Sequence, residues 1–198
     1  MKQHRRGNET TSCLPALIIV SGLPATGKST LAEKLAPELG WPLFAKDHFK
    51  ELLYDSVDRD DCEPGIARHE STAIGRQSIA LLLDLGRELL RNGAPCIIEA
   101  NLLPRLAPAD LAPLLAISRG RQVHCTIPDE LVLKRYRERA TAGVRHPVHV
   151  DEGAEAELIE RIAHGGGEPL PLNVPLLEVD STNGWNPELA EIVAFCRA

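Results

Sequence analysis

Apolar residues along this chain form short continuous runs that alternate with stretches of helical spacing. Unbroken apolarity is typical of strands buried on both faces of a parallel sheet. Such runs predict five β-strands, at 17–20, 42–45, 95–100, 122–127 and 174–179. The spacing between them predicts helices at 30–39, after 47, at 66–91, around 111–115, and at 129–141, 153–163 and 187–196. We therefore expect an α/β fold: a five-stranded parallel sheet with helices on both faces.

Length and composition favour one domain. The chain has 198 residues, of which 43% are hydrophobic and 25% are charged, a balance typical of a globular protein with a sizeable core. The polar residues 1–13 predict a flexible leader, and 14–198 carry the predicted domain. The long helix at 66–91 contains Gly75 and Gly86, near which it could break. No apolar stretch approaches bilayer length, so we expect a cytoplasmic protein without membrane contact.

Charge, aromatic content and cysteine spacing disfavour several classes of function. A formal charge of −6 and an aromatic content of 4% argue against a nucleic-acid partner, which needs basic surface and stacking side chains. The cysteines are odd in number, widely spaced and never in a Cys-x-x-Cys pair, which favours reduced thiols over disulfides or a zinc site. They are Cys13, Cys62, Cys96, Cys125 and Cys196.

The first predicted strand leads directly into a phosphate-binding motif. Residues 22–29 read GLPATGKS and satisfy the pattern G-x-x-x-x-G-K-[ST]. The glycines let successive N–H groups turn toward one anion, and the helix that follows adds its positive end. Lys28 can reach the β- and γ-phosphates and Ser29 can ligate Mg²⁺, which predicts ATP and Mg²⁺ as cofactors. The predicted nucleotide-binding residues are Gly22, Leu23, Pro24, Ala25, Thr26, Gly27, Lys28, Ser29 and Thr30.

From Gly22 to Ala32 the chain resembles the small P-loop kinases, which include gluconate kinase, chloramphenicol phosphotransferase, polynucleotide kinase and zeta-toxin-like proteins. The segments 98–101 (IEAN) and 145–147 (RHP) are also similar to uncharacterised members predicted to be kinases. The resemblance covers most of 15–180. It implies a P-loop nucleoside triphosphate hydrolase fold with a helical lid, at about 135–152 here, and a phosphotransferase with an alcohol group as acceptor.

Asp47 follows the second predicted strand and has two interpretations. Ligands gather at the carboxyl ends of parallel strands, so this carboxylate would face the phosphate loop and could take a proton from an attacking hydroxyl. The related kinases carry an aspartate at this position, and the resemblance implies the same role here. Alternatively, an aspartate before a helix serves as its N-cap. The neighbouring Lys46, His48 and Lys50 could contact an anionic substrate or form a solvated helix end.

Glu99 closes the third predicted strand, where P-loop enzymes commonly place an acidic residue that holds the Mg²⁺ shell. The usual residue is aspartate, so two roles in the site stay open for this glutamate, beside a purely structural one as a strand-end carboxylate held by backbone N–H groups. It could bind the metal through water, or orient substrate alongside Asn101. A carboxylate that closes a buried strand is costly unless paired, which favours a role in the site.

Basic residues concentrate between 129 and 145 despite the acidic balance of the chain. Arginines on a closing segment would stabilise the charge that collects on a transferring phosphate. The related kinases use a lid with arginines in this region, and the resemblance indicates Arg139 and Arg145. Arg135 shares a helical face with Arg139, but Arg135 and Arg137 fit an exposed mixed-charge helix equally well.

Two loops are further candidates. The segment 146–151 holds two histidines and an aspartate, but Pro147 prevents a helix from aligning the histidines, so a substrate-facing loop or lid surface is favoured over a zinc site. The loop at 180–184 follows the last strand and, by family analogy, lies beside the nucleotide base. Nothing in it selects adenine over guanine.

The leading hypothesis is an ATP-dependent kinase for a hydroxyl of a small molecule, with an acceptor pocket built by 47–75 and the lid. Two rivals stay open: a nucleotide-binding switch that acts on a protein partner, and a 5′-hydroxyl nucleic-acid kinase, which the acidic balance disfavours. The predicted catalytic residues are Lys28, Asp47, Arg139 and Arg145, and the predicted metal ligands are Ser29 and Glu99.

Overall fold

The computed structural model describes residues 14–57, 66–143, 145–150 and 154–198. The predicted leader lies outside these ranges, as do positions 144 and 151–153, which include part of the predicted lid. The strands are β1 (Ala16–Ser21), β2 (Leu43–Ala45), β3 (Cys96–Glu99), β4 (Arg119–Thr126) and β5 (Leu176–Asp180). The helices are α1 (Lys28–Leu39), α2 (Lys46–Asp55), α3 (Arg68–Arg91), α4 (Ala107–Leu115), α5 (Asp129–Thr141), α6 (Ala154–Ala163) and α7 (Leu189–Arg197).

The five strands form one parallel sheet in the order β2-β3-β1-β4-β5, which confirms the predicted fold. β1 lies at the centre, and all six of its residues are buried. That position explains its unbroken apolar sequence, because a central strand has no solvent-facing side. The carboxyl ends of the strands meet at one edge of the sheet, which is where α/β proteins bind ligands.

Side chains of β1 alternate between the two faces of the sheet and enter a separate apolar cluster on each. Leu17 and Ile19 pack with buried residues of α3 and α4. Ile18 and Val20 pack with buried residues of α1 and α7. The predicted helical layers on both faces are therefore present, and each buries one half of the same strand.

α3 runs for 24 residues without a break, so the glycines within it do not end the helix. A Cβ at Gly86 would lie 3.0 Å from Cδ1 of Ile98, which shows how closely α3 approaches the sheet. A Cβ at Gly75 would lie 3.8 Å from the Cε atoms of both Lys46 and Lys50. Both glycines therefore serve close packing, because a bare Cα lets a neighbouring group approach the helix backbone.

Some element ends differ from the predicted ones. β4 begins at Arg119 rather than 122, because Arg119 and Gly120 already pair with the start of β1. α2 begins at Lys46, with Ala45 as its N-cap. Asp47 therefore lies inside the first turn, and its interpretation as the N-cap is wrong. In the described ranges, no helix combines the length and apolarity needed to cross a bilayer.

Candidate active site

The phosphate loop adopts backbone angles that favour glycine. Gly22 has φ +143° and Gly27 has φ +81°. A Cβ on Gly22 would lie 2.6 Å from the backbone oxygen of Cys125, which leaves no room for a larger residue. Thr26 closes the turn, because its Oγ1 donates to the Leu23 carbonyl at 2.9 Å. The glycines of the motif are thus a geometric requirement of this loop.

A cleft of about 340 Å³ opens beside the loop. Gly27 is the N-cap of α1, so Lys28 and Ser29 lie in its first turn, and both line the cleft together with Pro24. Unpaired N–H groups at such a helix start attract anions. The other predicted nucleotide-binding residues do not line the cleft: Thr30 lies in α1, and the loop itself holds Gly22, Leu23, Ala25, Thr26 and Gly27.

A small apolar cluster joins the phosphate loop to α5 and α6. The Leu23 side chain packs there with Ile127, Val132, Tyr136 and Leu158. Because α5 carries the arginines and α6 closes the far side of the cleft, this cluster fixes both helices next to the loop. The apolar side chain of Leu23 therefore has a packing role, whatever its backbone contributes to nucleotide binding.

Glu99 lies behind Lys28, at the carboxyl end of β3. The Lys28 Nζ is 3.5 Å from Oε1 of Glu99, and the Glu99 residue is 3% exposed. Burial raises the pKa of Glu99, the charge of Lys28 opposes that rise, and Asp47 adds to it. A hydrogen bond with Ser29 also favours the ionised form. The structure thus places a carboxylate and a hydroxyl oxygen together beside the phosphate loop.

Asp47 faces the same cleft from the first turn of α2. Its Oδ1 accepts a hydrogen bond from Lys46 Nζ at 2.8 Å, and its Oδ2 lies 3.8 Å from Nη2 of Arg145. Burial alone would raise its pKa, but Lys46, and then His149 and Lys28, together hold the pKa below its usual range. The carboxylate is therefore ionised at neutral pH, and it lines the cleft together with Lys28.

The two predicted lid arginines, Arg139 and Arg145, both line the cleft. Arg139 also stands 5.7 Å from the centre of the Tyr136 ring. Arg135 turns away instead and donates to the carbonyl oxygens of Ser181 and Thr182, at 3.3 and 2.8 Å. Although Arg135 and Arg139 were expected to share a helical face, Arg135 thus contacts the loop after β5 and Arg139 lines the cleft.

Arg137 is an exposed residue that pairs with Glu155 at 2.6 Å. The mixed-charge interpretation describes Arg137 well. Arg135 differs, because its side chain ties α5 to the loop that follows β5. That loop also contacts the phosphate loop, since the Ser181 hydroxyl donates to the backbone oxygen of Thr26.

The two histidines of the 146–151 segment bind to α2 rather than to one metal. Nε2 of His146 lies 3.0 Å from Asp55, and Nε2 of His149 lies 2.8 Å from Glu51. Among the described residues, no group of three histidines, cysteines or carboxylates could hold a metal ion. Asp151 lies outside the described ranges. His149 lines the cleft, which agrees with the substrate-facing alternative.

Comparisons with known proteins identify relatives of this chain. The profile of the AAA domain family matches residues 17–163. The crystal structure of a candidate kinase from Chloroflexus aurantiacus is 35% identical, with 93% of this chain and 97% of that chain covered and a TM-score of 0.78. This chain belongs to the AAA domain family of P-loop kinases.

Two other solved structures share the fold of this P-loop kinase at low identity. A sugar kinase from Janibacter sp. HTCC2649 is 15% identical, with 92% of this chain and 95% of that chain covered and a TM-score of 0.59. A gluconokinase from Sinorhizobium meliloti 1021 is also 15% identical, with coverages of 92% and 89% and a TM-score of 0.51. Identities this low show the fold alone. None of the curated proteins matches the chain.

The α3 side of the cleft of this P-loop kinase was predicted only in part, because the acceptor pocket expected at 47–75 ends at Gly75 and named no individual residue of that helix. One face of α3 lines the cleft through Arg68, Ser71, Thr72, Gly75, Arg76 and Ile79. The signal was available: these positions recur every three or four residues and are mostly small, polar or basic.

Two further residues line the cleft: Arg161, which no sequence pattern singled out, and Asn101, which the sequence offered as a partner of Glu99 in orienting substrate. Arg161 on α6 donates through Nη2 to the carbonyl of Leu102 at 2.9 Å, and burial lowers its pKa. The buried Oδ1 of Asn101 has no hydrogen-bond partner among the residues that the structure describes. An unpaired buried acceptor that lines a cleft is suited to receive a hydrogen bond from a ligand or water.

Proposed function

We propose that this P-loop kinase transfers the γ-phosphate of MgATP to a hydroxyl of a small molecule. The observation that carries the proposal is that Asp47 faces the same cleft as Lys28 and Ser29. A phosphate loop alone supports nucleotide binding, hydrolysis or switching. A carboxylate opposite that loop adds the group that activates an acceptor. The cleft volume of about 340 Å³ suits a small molecule.

In the proposed reaction, the acceptor oxygen attacks the γ-phosphorus. The new O–P bond forms while the bond to the β–γ bridging oxygen breaks, and ADP leaves. Asp47 takes the hydroxyl proton, and its low pKa keeps it ionised for that task. Lys28 contributes to that low pKa. When Lys28 pairs with phosphate oxygens instead, its effect on Asp47 weakens and the carboxylate becomes a better base.

The cationic side chains would bind and stabilise the phosphates. Lys28 would hold the β- and γ-phosphates, and the N–H groups of the loop would surround them. Arg139 and Arg145, which line the cleft, would stabilise the charge on the transferring group. Arg135 would act indirectly, because it fixes the loop at 180–184 that we expect beside the base.

Mg²⁺ fits the donor set beside the loop. The Ser29 hydroxyl and the Glu99 carboxylate are oxygen ligands, and Mg²⁺ typically binds one or two protein carboxylates plus substrate phosphates. These two residues would hold the ion, which neutralises phosphate charge during transfer. Burial alone raises the pKa of Glu99 and so disfavours its ionised form. A cation bound beside the carboxylate would oppose that effect and favour ionisation.

Acceptor-dependent ATP consumption tests the proposal, measured with a panel of sugars, nucleosides, antibiotics and hydroxy acids. On the acceptor so found, Asp47→Asn should lower kcat by about 10²–10⁴-fold, the usual contribution of a general base. Binding of ATP should stay close to that of the wild type. Asp84→Asn is the matched control, because Asp84 is exposed and pairs with Arg87 on the surface of α3.

Full turnover by Asp47→Asn would remove Asp47 from its assigned role. ATP hydrolysis that ignores every acceptor, combined with nucleotide-dependent capture of a protein, would instead support a nucleotide switch. Phosphorylation of 5′-hydroxyl oligonucleotides with a strong salt dependence would support a nucleic-acid kinase.

A further inference from the structure

Lys50 is a buried ammonium group that lines the cleft and lacks a paired carboxylate. The residue is 6% exposed. Its Nζ donates to the Ser71 hydroxyl at 2.6 Å, and that hydroxyl donates to the carbonyl of Val148 at 2.7 Å. Within the described part of the chain, no carboxylate forms an ion pair with Lys50. A buried charge with only a neutral partner is costly, and such a charge in a cleft indicates a ligand of opposite sign.

The charges around Lys50 increase that cost. Burial first, and then the nearby Lys46, lower the pKa of Lys50 to about 8. Asp47 opposes the shift, whereas Arg68 and Arg145 add to it. Of the described groups named here, three are cations and one is a carboxylate, so their net charge around Lys50 is positive.

In the described ranges, the two carboxylates that line the cleft, Asp47 and Glu157, already form ion pairs with other basic side chains. Asp47 serves both Lys46, at 2.8 Å, and Arg145, at 3.8 Å. Glu157 pairs with Arg68 at the rim. Among the described residues that line the cleft, eight are basic and two are acidic, although the whole chain has a formal charge of −6. Such local concentration of one charge attracts a ligand of the other.

The positive charge lies in two separate places. Lys28 lines the cleft beside the phosphate loop, where it would face the nucleotide phosphates. Lys46 and Lys50 stand one helical turn apart on α2, and the Cε of each would be 3.8 Å from a Cβ at Gly75 of α3. Their side chains thus converge over bare helix backbone. His48, which follows Asp47 on the same helix, is exposed and takes no part.

We propose that the acceptor is an anion, a phosphate ester or a carboxylic acid, whose negative group binds between Lys46 and Lys50 while its hydroxyl meets Asp47. This proposal rests on the kinase function proposed above. It decides between the two interpretations of the lysines around Asp47: they form an anion site rather than a solvated helix end. Because Lys46 also contacts Asp47 at 2.8 Å, the anionic group and the reacting hydroxyl lie close together on the acceptor.

A binding experiment with the phosphate loop already filled tests the anion site. The full-length protein is saturated with Mg²⁺ and a non-hydrolysable ATP analogue, and inorganic phosphate is then titrated by calorimetry. The wild type should bind phosphate, and Lys50→Met should bind it about tenfold or more weakly, the usual effect of losing a charged hydrogen bond. Lys34→Met, an exposed lysine on α1, should match the wild type.

A second variant guards against a folding defect, since Lys50 is buried. Lys46→Met changes a side chain that is 19% exposed, and it should weaken phosphate binding as well. Thermal melting identifies any variant that is unfolded. Equal phosphate binding by the wild type and the folded lysine variants would overturn the proposal, and so would no binding by the wild type.

Kinetics with matched acceptors separate phosphate from carboxylate and this proposal from the kinase function itself. Each neutral sugar is compared with its sugar phosphate and its sugar acid. We expect turnover of an anionic member, with inorganic phosphate competing against that acceptor but not against ATP. Equal or better turnover of the neutral member would overturn the anion site and leave the kinase standing. Failure of the ATP analogue to bind would overturn both.

Discussion

Lys28, the lysine of the phosphate loop, lies with its Nζ 3.5 Å from Oε1 of Glu99 at the end of the neighbouring strand. The pair is almost closed off from solvent on the Glu99 side, where exposure is 3%. Without nucleotide, each group thus offsets part of the burial cost of the other. If a triphosphate binds Lys28, as we propose, the attraction between Lys28 and Glu99 would weaken, and a divalent ion held by Ser29 and Glu99 would supply the positive charge instead.

Glu99→Gln should therefore weaken Mg²⁺ more than nucleotide. We expect the concentration of Mg²⁺ needed for half-maximal turnover to rise about tenfold or more, because one charged ligand is lost. Affinity for ATP without Mg²⁺ should not fall, because Lys28 is then released from the carboxylate. Titrations of both ligands measure this, with the exposed Glu33→Gln as the control. An unchanged Mg²⁺ requirement would exclude Glu99 from the metal site.

Gly22→Ala should disrupt the phosphate loop. The new Cβ would lie 2.6 Å from a backbone oxygen, in a backbone conformation that only glycine adopts readily. We expect a loss of more than about 2 kcal/mol in the free energy of unfolding, together with weaker ATP binding. Gly40→Ala, at φ +71° with open space around it, should cost only about 1–2 kcal/mol and leave ATP binding intact. Chemical denaturation and ATP titration measure both, and equal losses would show that the contact with Cys125 does not matter.

Arg145→Gln should lower kcat with little effect on ATP affinity. Arg145 lines the cleft, and its guanidinium lies near Asp47, so its loss removes positive charge from the place where we propose that phosphate is transferred. The expected fall in kcat is about 10²–10³-fold, as for other groups that stabilise a transition state. Arg137→Gln removes an equal charge from the exposed surface and should change kcat little. Steady-state kinetics of the two variants decide the matter: similar kcat values would remove Arg145 from catalysis.

Phosphate binding at Lys50 should weaken as the pH rises through about 8. The deprotonated amine no longer attracts an anion, so affinity should fall by up to about tenfold per pH unit above that value. Lys46 and Asp47 face Lys50 from α2, Arg68 from α3, and Arg145 and His149 from the 145–150 segment. Calorimetric titration of the analogue-loaded protein on both sides of pH 8 measures the change. A wild-type profile that matches that of Lys50→Met would contradict it.

The lowered pKa of Lys50 also makes the stability of the folded protein depend on pH. The pKa of Lys50 is lower in the folded protein than its ordinary value of 10.5, so the unfolded chain binds the proton more strongly. The contribution of Lys50 to stability should therefore increase as the pH rises from about 8 to 10.5. Lys50→Met should lack that increase, as comparison of denaturation curves across this range would show.

The sequence by itself determined the sheet and the phosphate loop, because both depend on local patterns. An unbroken apolar run such as 17–20 is compatible with few environments other than a central parallel strand. The glycine spacing in 22–29 is equally restrictive, since a Cβ at Gly22 meets backbone. The position of Asp47 at the cleft could also be predicted, because a residue that follows a strand lies at the ligand-binding edge of the sheet.

Only the tertiary structure decided which charged side chains face the cleft and which face solvent. Lys46 and Lys50 face the cleft whereas His48 is exposed, because α3 packs against the lysine side of α2. Arg139 lines the cleft whereas Arg135 does not, because the loop after β5 offers carbonyl oxygens to Arg135. The ion pair of Lys28 and Glu99 joins residues that are distant in the chain, one in the first turn of α1 and one at the end of β3, the strand that pairs with β1. Local patterns constrain the backbone near each residue, whereas the environment of a charge depends on every element that folds around it.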